Sequence, residues 1–156
     1  MANRTYRYFT GEPLFAFGHG LSYTAFAYGP LNLVADSIDC PDTVRLSLPV
    51  KNTGSREGDE VVQVYVRQIG CAECQDRQPV RKLVGFKRVR VGVGESVVFE
   101  FTIPAKELRQ WDSRKAAYTI APGQYEIECG ASSSDIRVRQ SFTHPTTRPQ
   151  MTQGQT

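Results

Sequence analysis

Apolar and polar residues alternate along four stretches of the chain. Strict alternation over four to eight residues is typical of a strand with one face in a core. Each stretch therefore predicts a half-buried β-strand. The apolar positions are Val44, Leu46, Leu48 and Val50; then Val62, Val64 and Val66; then Val97, Phe99, Phe101 and Ile103; then Tyr125, Ile127 and Cys129.

Further strands are predicted between turn signals. A first strand at 25–35 is interrupted at Gly29-Pro30, because a proline confines a strand to an edge or a bulge. Others are expected at 82–91, at 118–121 and at 136–142, and Pro104 introduces one or two helical turns at 105–111, with Trp111 covering the end of the sheets. About seven short strands with regularly spaced turns predict an all-β, antiparallel, immunoglobulin-like sandwich. Tyr125, just after a Pro-Gly turn, has the position of a tyrosine corner.

The N-terminal segment differs from these strands. It is rich in aromatic residues, is punctuated by glycines and fits no helical stripe. Such apolar surface needs a partner, so we interpret residues 1–22 as an irregular arm that docks the domain onto something else. Residues 23–143 form the predicted sandwich, and 144–156, poor in large apolar side chains, a flexible tail. The candidate docking residues are Tyr6, Tyr8, Phe9, Phe15, Phe17, His19 and Tyr23.

Composition narrows the function classes. The chain has 156 residues, enough for one domain with a core, and a formal net charge of +3. This mild basicity, with no interleaved exposed aromatics, argues against nucleic-acid binding. No apolar run is long enough for a membrane helix, and the first residues lack the apolar core of a signal peptide. We expect a soluble protein and leave its compartment open.

No group of side chains predicts a catalytic, metal or cofactor site. Cys71 and Cys74 form a C-x-x-C pair without a second ligand pair, which favours a local disulfide or free thiols. His19 and His144 have no ligand cluster around them. Glu107 and Asp112 resemble a surface turn more than the opposed carboxylates of a glycosidase.

Several motifs resemble one known domain. The run Gly11-Glu12-Pro13-Leu14, followed by 17–24 (Phe-Gly-His-Gly-Leu-Ser-Tyr-Thr), is similar to the entry into the C-terminal fibronectin type III-like domain of family 3 glycoside hydrolases. That family usually has Tyr-Pro where this chain has Phe15-Ala16. The resemblance continues through 58–66, Leu83-x-Gly85-Phe86 and Trp111-Asp112, almost to Phe142.

The resemblance implies a non-catalytic accessory domain of a β-glucosidase or β-xylosidase that acts on plant-derived oligosaccharides. In that family the catalytic aspartate and glutamate belong to two other domains, which the arm would brace. Two alternatives stay open. One is a stand-alone module that binds polysaccharide through exposed aromatics such as Tyr65, Trp111 or Tyr118, and the other is an adhesion module that uses the arm as a docking strand. A coplanar row of exposed aromatics on one sheet would favour sugar binding.

Overall fold

The computed structural model describes residues 5–35, 43–70, 80–112 and 116–144. One helical turn, α1 (Thr5–Tyr8), is followed by ten strands and a 3-10 helix at Ala105–Leu108. The strands are β1 (Phe26–Tyr28), β2 (Asn32–Ala35), β3 (Thr43–Asn52), β4 (Gly58–Ile69), β5 (Lys82–Val91), β6 (Ser96–Pro104), β7 (Gln110–Asp112), β8 (Ala117–Thr119), β9 (Gly123–Gly130) and β10 (Ile136–His144).

Two antiparallel sheets form the predicted sandwich. In the first sheet, β3 pairs with β6 on one side and with both β1 and β2 on the other. The interruption at Gly29-Pro30 therefore divides a single edge strand, as the proline predicts. Counted in this way, the two sheets contain seven of the predicted strands, and the strand predicted at 118–121 is β8, which lies outside them. The second sheet has the order β10-β9-β4-β5. A separate hairpin, β7-β8, lies outside both sheets.

The core lies between the sheets and is built from the alternating apolar positions. Val44, Leu48 and Val50 on β3 pack in one cluster with Val62 and Val64 on β4. All five side chains are fully buried. Most of the remaining predicted positions are buried as well: Leu46, Val66, Phe99, Ile103, Tyr125, Ile127 and Cys129. Val97 and Phe101 are half-buried against this cluster. The fold class is thus confirmed, as is the inward face of each predicted strand.

The segment after Pro104 departs from its prediction. The helical part ends at Leu108, and Trp111 lies instead on β7, where its backbone pairs with that of Tyr118 on β8. The hairpin holds Trp111 away from the core, so its side chain is 57% exposed and does not cover the end of the sandwich. The expected covering role of Trp111 is wrong.

The boundary of the predicted tail shifts by one residue. His144 is the last residue of β10, paired with Gly123, and its side chain is buried. Burial lowers the pKa of His144, which favours the neutral imidazole. The rest of the predicted tail and the pair Cys71 and Cys74 lie outside the described residues.

The basic stretch on β5 occupies an edge of the second sheet. Arg88 pairs with Asp59 at 2.5 Å and Arg90 with Glu57 at 2.9 Å, both in exposed positions, while Lys87 lies 5.8 Å from the ring centroid of Phe101. Charged side chains on an edge strand discourage pairing with another chain. Among the described residues, no helix has the length and hydropathy needed to cross a bilayer.

Candidate domain-docking surface

The described segment before β1, residues 5–25, contains the predicted arm from residue 5 onward and is called the arm below; it crosses the outer face of the second sheet. Since Val62, Val64 and Val66 point into the core, Gln63 on β4 must point outward, beneath the arm. Its side-chain amide nitrogen donates to the carbonyl oxygens of Gly18 at 3.0 Å and Ala131 at 2.8 Å. The amide nitrogen of Ser133 also donates to the Phe17 carbonyl oxygen at 2.9 Å. These bonds attach the middle of the arm to the sandwich.

An aromatic stack covers the neighbouring part of the sheet. Tyr6 stacks on Phe17 with ring centroids 4.0 Å apart and meets Tyr65 edge-to-face at 6.2 Å. The Tyr6 hydroxyl accepts a hydrogen bond from the Leu83 amide at 3.1 Å. Tyr65 is fully buried, and its hydroxyl donates to Gln63 Oε1 at 2.5 Å. Tyr65 is therefore not available as an exposed sugar platform, contrary to the sequence-based expectation.

Gly18 is needed where the arm meets Gln63. Its φ of 77° lies in the left-handed region, which disfavours any residue with a Cβ. A Cβ at this position would also overlap the side-chain amide of Gln63. That amide is held by three hydrogen bonds, so it has little room to move away.

The rest of the arm leaves apolar surface exposed. Phe15 is 75% exposed and Tyr23 is 94% exposed, and Leu14 and Leu21 are almost fully exposed. His19 is exposed as well, with its ring 5.6 Å from that of Phe15. Of the other candidate docking residues, Tyr8 is half-buried and Phe9 is exposed. The arm thus has one side attached to its own sheet and another side without cover among the described residues.

A charged cluster lies on the same outer face. Glu128 on β9 is fully buried, and its carboxylate lies 3.1 Å from Arg139 Nε, 3.3 Å from Arg81 Nε and 3.7 Å from Arg67 Nε. These contacts are close enough for ion pairs but do not meet the geometry of a hydrogen bond. Neither carboxylate oxygen of Glu128 therefore has a hydrogen bond within the described part of the chain. Arg67 also pairs with Glu126 at 2.8 Å.

The residues weighed for chemistry occupy structural positions. Lys82 holds the Glu107 carboxylate at 2.9 Å, and this hydrogen bond lowers the pKa of Glu107, so Glu107 is suited to a surface ion pair. Asp112 lies on the β7-β8 hairpin. Burial raises the pKa of Cys129 to about 12, which keeps the thiol protonated at neutral pH. In the described ranges no three His, Cys, Asp or Glu side chains gather as a metal site.

Comparison with protein families identifies the domain. The Fibronectin type III-like domain family matches residues 60–133, which run from β4 to the turn after β9. This part of the chain is similar to the fibronectin type III-like domains. Its relatives are family 3 glycoside hydrolases, which confirms the resemblance carried by the arm and strand motifs.

The relatives are much longer than this chain. The beta-glucosidase BoGH3A of Bacteroides ovatus is 35% identical over 85% of the chain, which corresponds to 17% of that enzyme. The xylan 1,4-beta-xylosidase of Xylanibacter ruminicola is 37% identical over 86% of the chain and 15% of the enzyme. The structure of beta-glucosidase 3B from Thermotoga neapolitana superimposes with a TM-score of 0.78 at 33% identity, over 90% of this chain and 19% of that one. The chain therefore spans a fifth or less of these relatives.

The sequence predicted an arm but not the residues that attach this segment to the sandwich. Gln63 and the cluster around Glu128 are polar residues at alternate positions in strands, and by pattern alone they belong to a solvated face. The local signal was the residue type at one position. Gln63 and Tyr65 alternate with the valines of β4, and a tyrosine on a solvated face is unusual enough to suggest that another segment covers it.

Proposed function

We propose that the chain is a non-catalytic accessory domain of a family 3 glycoside hydrolase and that it braces the catalytic domains. The parent enzyme would be a β-glucosidase or β-xylosidase that acts on plant-derived oligosaccharides. The observation that carries the proposal is the arm, which is fixed to the sandwich through Gly18 while Leu14, Phe15, Leu21 and Tyr23 face outward. Apolar surface displayed in this way is typical of an interface.

The energetics favour docking through the exposed side of the arm. Aromatic side chains bury about 150–250 Å² each, and apolar burial contributes about 25 cal/mol per Å². Covering Phe15 and Tyr23 together with the two leucines would thus contribute several kcal/mol. A linker already attached to the sandwich loses less conformational freedom on docking than a free one, which adds to the net gain.

The coding sequence upstream of Met1 tests the parent-enzyme proposal. We expect an in-frame segment that encodes a barrel domain and a second catalytic domain. A stop codon and promoter directly upstream of Met1 would contradict the proposal and favour a stand-alone module.

A second test concerns catalysis by this chain. We expect the purified chain to leave aryl β-glucosides and β-xylosides uncleaved, because Glu107 is held by Lys82 and no opposed carboxylate pair is evident in the sequence. Turnover that disappears in Glu107→Gln or Asp112→Asn would contradict this expectation.

The β7-β8 hairpin supports a second candidate function, contact with polysaccharide. Trp111 and Tyr118 are 57% and 67% exposed and lie opposite each other on the two strands. Their rings, however, meet edge-to-face at 70° with centroids 5.2 Å apart, so they form no coplanar platform. If the hairpin binds polysaccharide, Trp111→Ala will abolish retention on insoluble cellulose or xylan while Phe86→Ala, an exposed aromatic on β5, will not. This candidate is excluded if the unmodified chain and both variants are retained equally, or if the unmodified chain is not retained at all.

A further inference from the structure

A cavity of about 540 Å³ lies between the arm and the sandwich. The arm supplies one wall with the rings of Tyr6, Phe9, Phe15 and Phe17. The sandwich supplies the other wall with two arginines, Arg81 and Arg139, and with the turn at 133–134. Small-molecule sites typically have this range of volume and this mixture of aromatic walls with a few polar groups.

The polar wall carries excess positive charge. Among the described residues, three guanidinium groups, those of Arg67, Arg81 and Arg139, pair with two carboxylates, those of Glu126 and Glu128. The cluster therefore has a net charge of +1. Arg139 Nε lies 3.1 Å from Glu128 Oε1, and the Arg139 side chain, which lines the cavity, is 53% exposed. Arg81 is held in place by Glu128 and by the Ser133 carbonyl oxygen, to which it donates a hydrogen bond.

This charge is suited to a carboxylate. An arginine that one partner already orients loses little rotamer freedom when it binds a second, and guanidinium–carboxylate pairs form strong, directional hydrogen bonds. The serine hydroxyls of the turn, Ser133 and Ser134, can bond further oxygens. The aromatic rings opposite offer an apolar face for a ring-shaped ligand.

We propose that this cavity binds a sugar unit that bears a carboxylate, namely a uronic acid. The carboxylate pairs with Arg139, and the sugar ring lies against the aromatic wall that includes Phe15. The site is separate from the β7-β8 hairpin, and it gives the domain a preference for acidic over neutral saccharides.

The test is an NMR titration of the purified 156-residue chain with three probes at constant ionic strength. Glucuronate carries both the ring and the carboxylate, glucose only the ring and acetate only the carboxylate. We expect glucuronate to shift amide signals around 131–136 and in the arm saturably, and to bind about tenfold or more tightly than either control probe. A hydrogen bond to a charged group is worth that factor relative to glucose, and packing of the sugar ring on the aromatic wall gives the preference over acetate. Equal affinity for acetate would reduce the site to a general anion contact, and equal affinity for glucose, or no saturable shift, would likewise overturn the proposal.

Two variants locate the site. Arg139→Gln removes the charge, and Phe15→Ser removes an exposed ring that the fold does not need; both are expected to weaken glucuronate binding about tenfold. The matched control is Arg88→Gln, an exposed arginine on β5 paired with Asp59, which should bind as the unmodified chain does. Unchanged binding in Phe15→Ser, or the same loss in Arg88→Gln, would overturn the proposal even if Arg139→Gln folded poorly.

Discussion

The hydroxyl of Tyr125 donates a hydrogen bond of 2.7 Å to the carbonyl oxygen of Ala121. This bond spans the Pro122-Gly123 turn and ties the entry of β9 to the chain before it, as a tyrosine corner does. The ring of Tyr125 is buried and stacks on Phe142 with centroids 5.6 Å apart. Burial raises the pKa of Tyr125 to about 12, so the hydroxyl remains a donor at all ordinary pH values.

Loss of this bond should lower stability. In Tyr125→Phe the ring still packs on Phe142, while the Ala121 carbonyl oxygen loses its donor. We expect the free energy of unfolding to fall by about 1 kcal/mol, the typical net contribution of one hydrogen bond. The measurement is the denaturant midpoint, with the exposed Tyr118→Phe as the control. An unchanged midpoint for Tyr125→Phe would show that the corner does not contribute.

The two glycines that flank His19 offer a matched pair for testing the arm. Gly18→Ala introduces a side chain at φ 77° and against the Gln63 amide. At Gly20, by contrast, no described residue other than its two neighbours in the chain has an atom within 4 Å of the position that a Cβ would take. Strain of this kind costs about 1–3 kcal/mol, so we expect Gly18→Ala to release the arm and speed tryptic cleavage at Arg7. Gly20→Ala should be cleaved like the unmodified chain. Equal cleavage of all three proteins would mean that Gly18 does not hold the arm.

A buried carboxyl links the two sheets and should make stability depend on pH. The Tyr28 hydroxyl on β1 donates to Glu60 Oε1 on β4 at 2.5 Å. Burial raises the pKa of Glu60 above its ordinary value of 4.5, although the bond from Tyr28 and the charge of Arg137 act in the opposite direction. The folded state therefore favours the protonated form of Glu60. The stability that this preference contributes is fully present below the ordinary carboxyl pKa, and it is lost as the pH rises through the raised pKa of the folded state.

Replacing the Glu60 carboxyl by an amide removes the loss of stability that accompanies its ionisation. We expect the stability of Glu60→Gln to improve relative to the unmodified chain as the pH rises, because the neutral amide keeps an acceptor for Tyr28 and never ionises. Unfolding free energies across the mildly acidic to neutral range measure the difference. Glu57→Gln, in an exposed ion pair with Arg90, is the control and should change little. A relative decline of Glu60→Gln with rising pH would contradict the assignment.

The buried cluster on the outer face gives a larger effect. Glu128→Ala leaves Arg81 without its buried carboxylate and removes partners from Arg67 and Arg139. Breaking a buried ion pair from one side costs about 3–5 kcal/mol, so the melting temperature should fall strongly. Glu126→Ala, whose partner Arg67 is more exposed, should cost clearly less. A small effect of Glu128→Ala would mean that its missing hydrogen bonds already offset the ion pairs.

The sequence was informative wherever burial follows from local alternation. Val44 to Val50 on β3 and Val62 to Val66 on β4 face the core because a strand repeats every two residues, and no distant contact is needed to see this. Tyr65 is on the outward face of β4 and is nevertheless buried, because Tyr6, which is remote in sequence, packs against it. Trp111 was misplaced for a related reason: its backbone pairs across the β7-β8 hairpin, and backbone pairing leaves no trace in a pattern of side chains.

The candidate docking surface was only partly readable for the same reason. Aromatic content and glycines predicted an arm, whose docking role stays a prediction. The orientation of the rings depends on hydrogen bonds from Gln63 to Gly18 and from Ser133 to Phe17. The alternation of apolar and polar residues does not encode these contacts. Tyr6 therefore packs on the sandwich and Phe17, still 43% exposed, stacks on Tyr6, while Phe15 and Tyr23 remain largely exposed.

The most direct test of the accessory role is a domain exchange in a relative. In the Bacteroides ovatus beta-glucosidase BoGH3A, the matching segment is deleted or is replaced by this chain, and the melting temperature of the catalytic domains is measured. The control pair places serines either in the arm, at Leu14, Phe15 and Tyr23, or on exposed apolar positions of the first sheet, at Val34 and Val98. We predict that the replacement restores the melting temperature lost by deletion, that the arm serines abolish the restoration and that the sheet serines do not. A replacement enzyme that melts like the deletion, or an arm variant that melts like the replacement, would contradict the account.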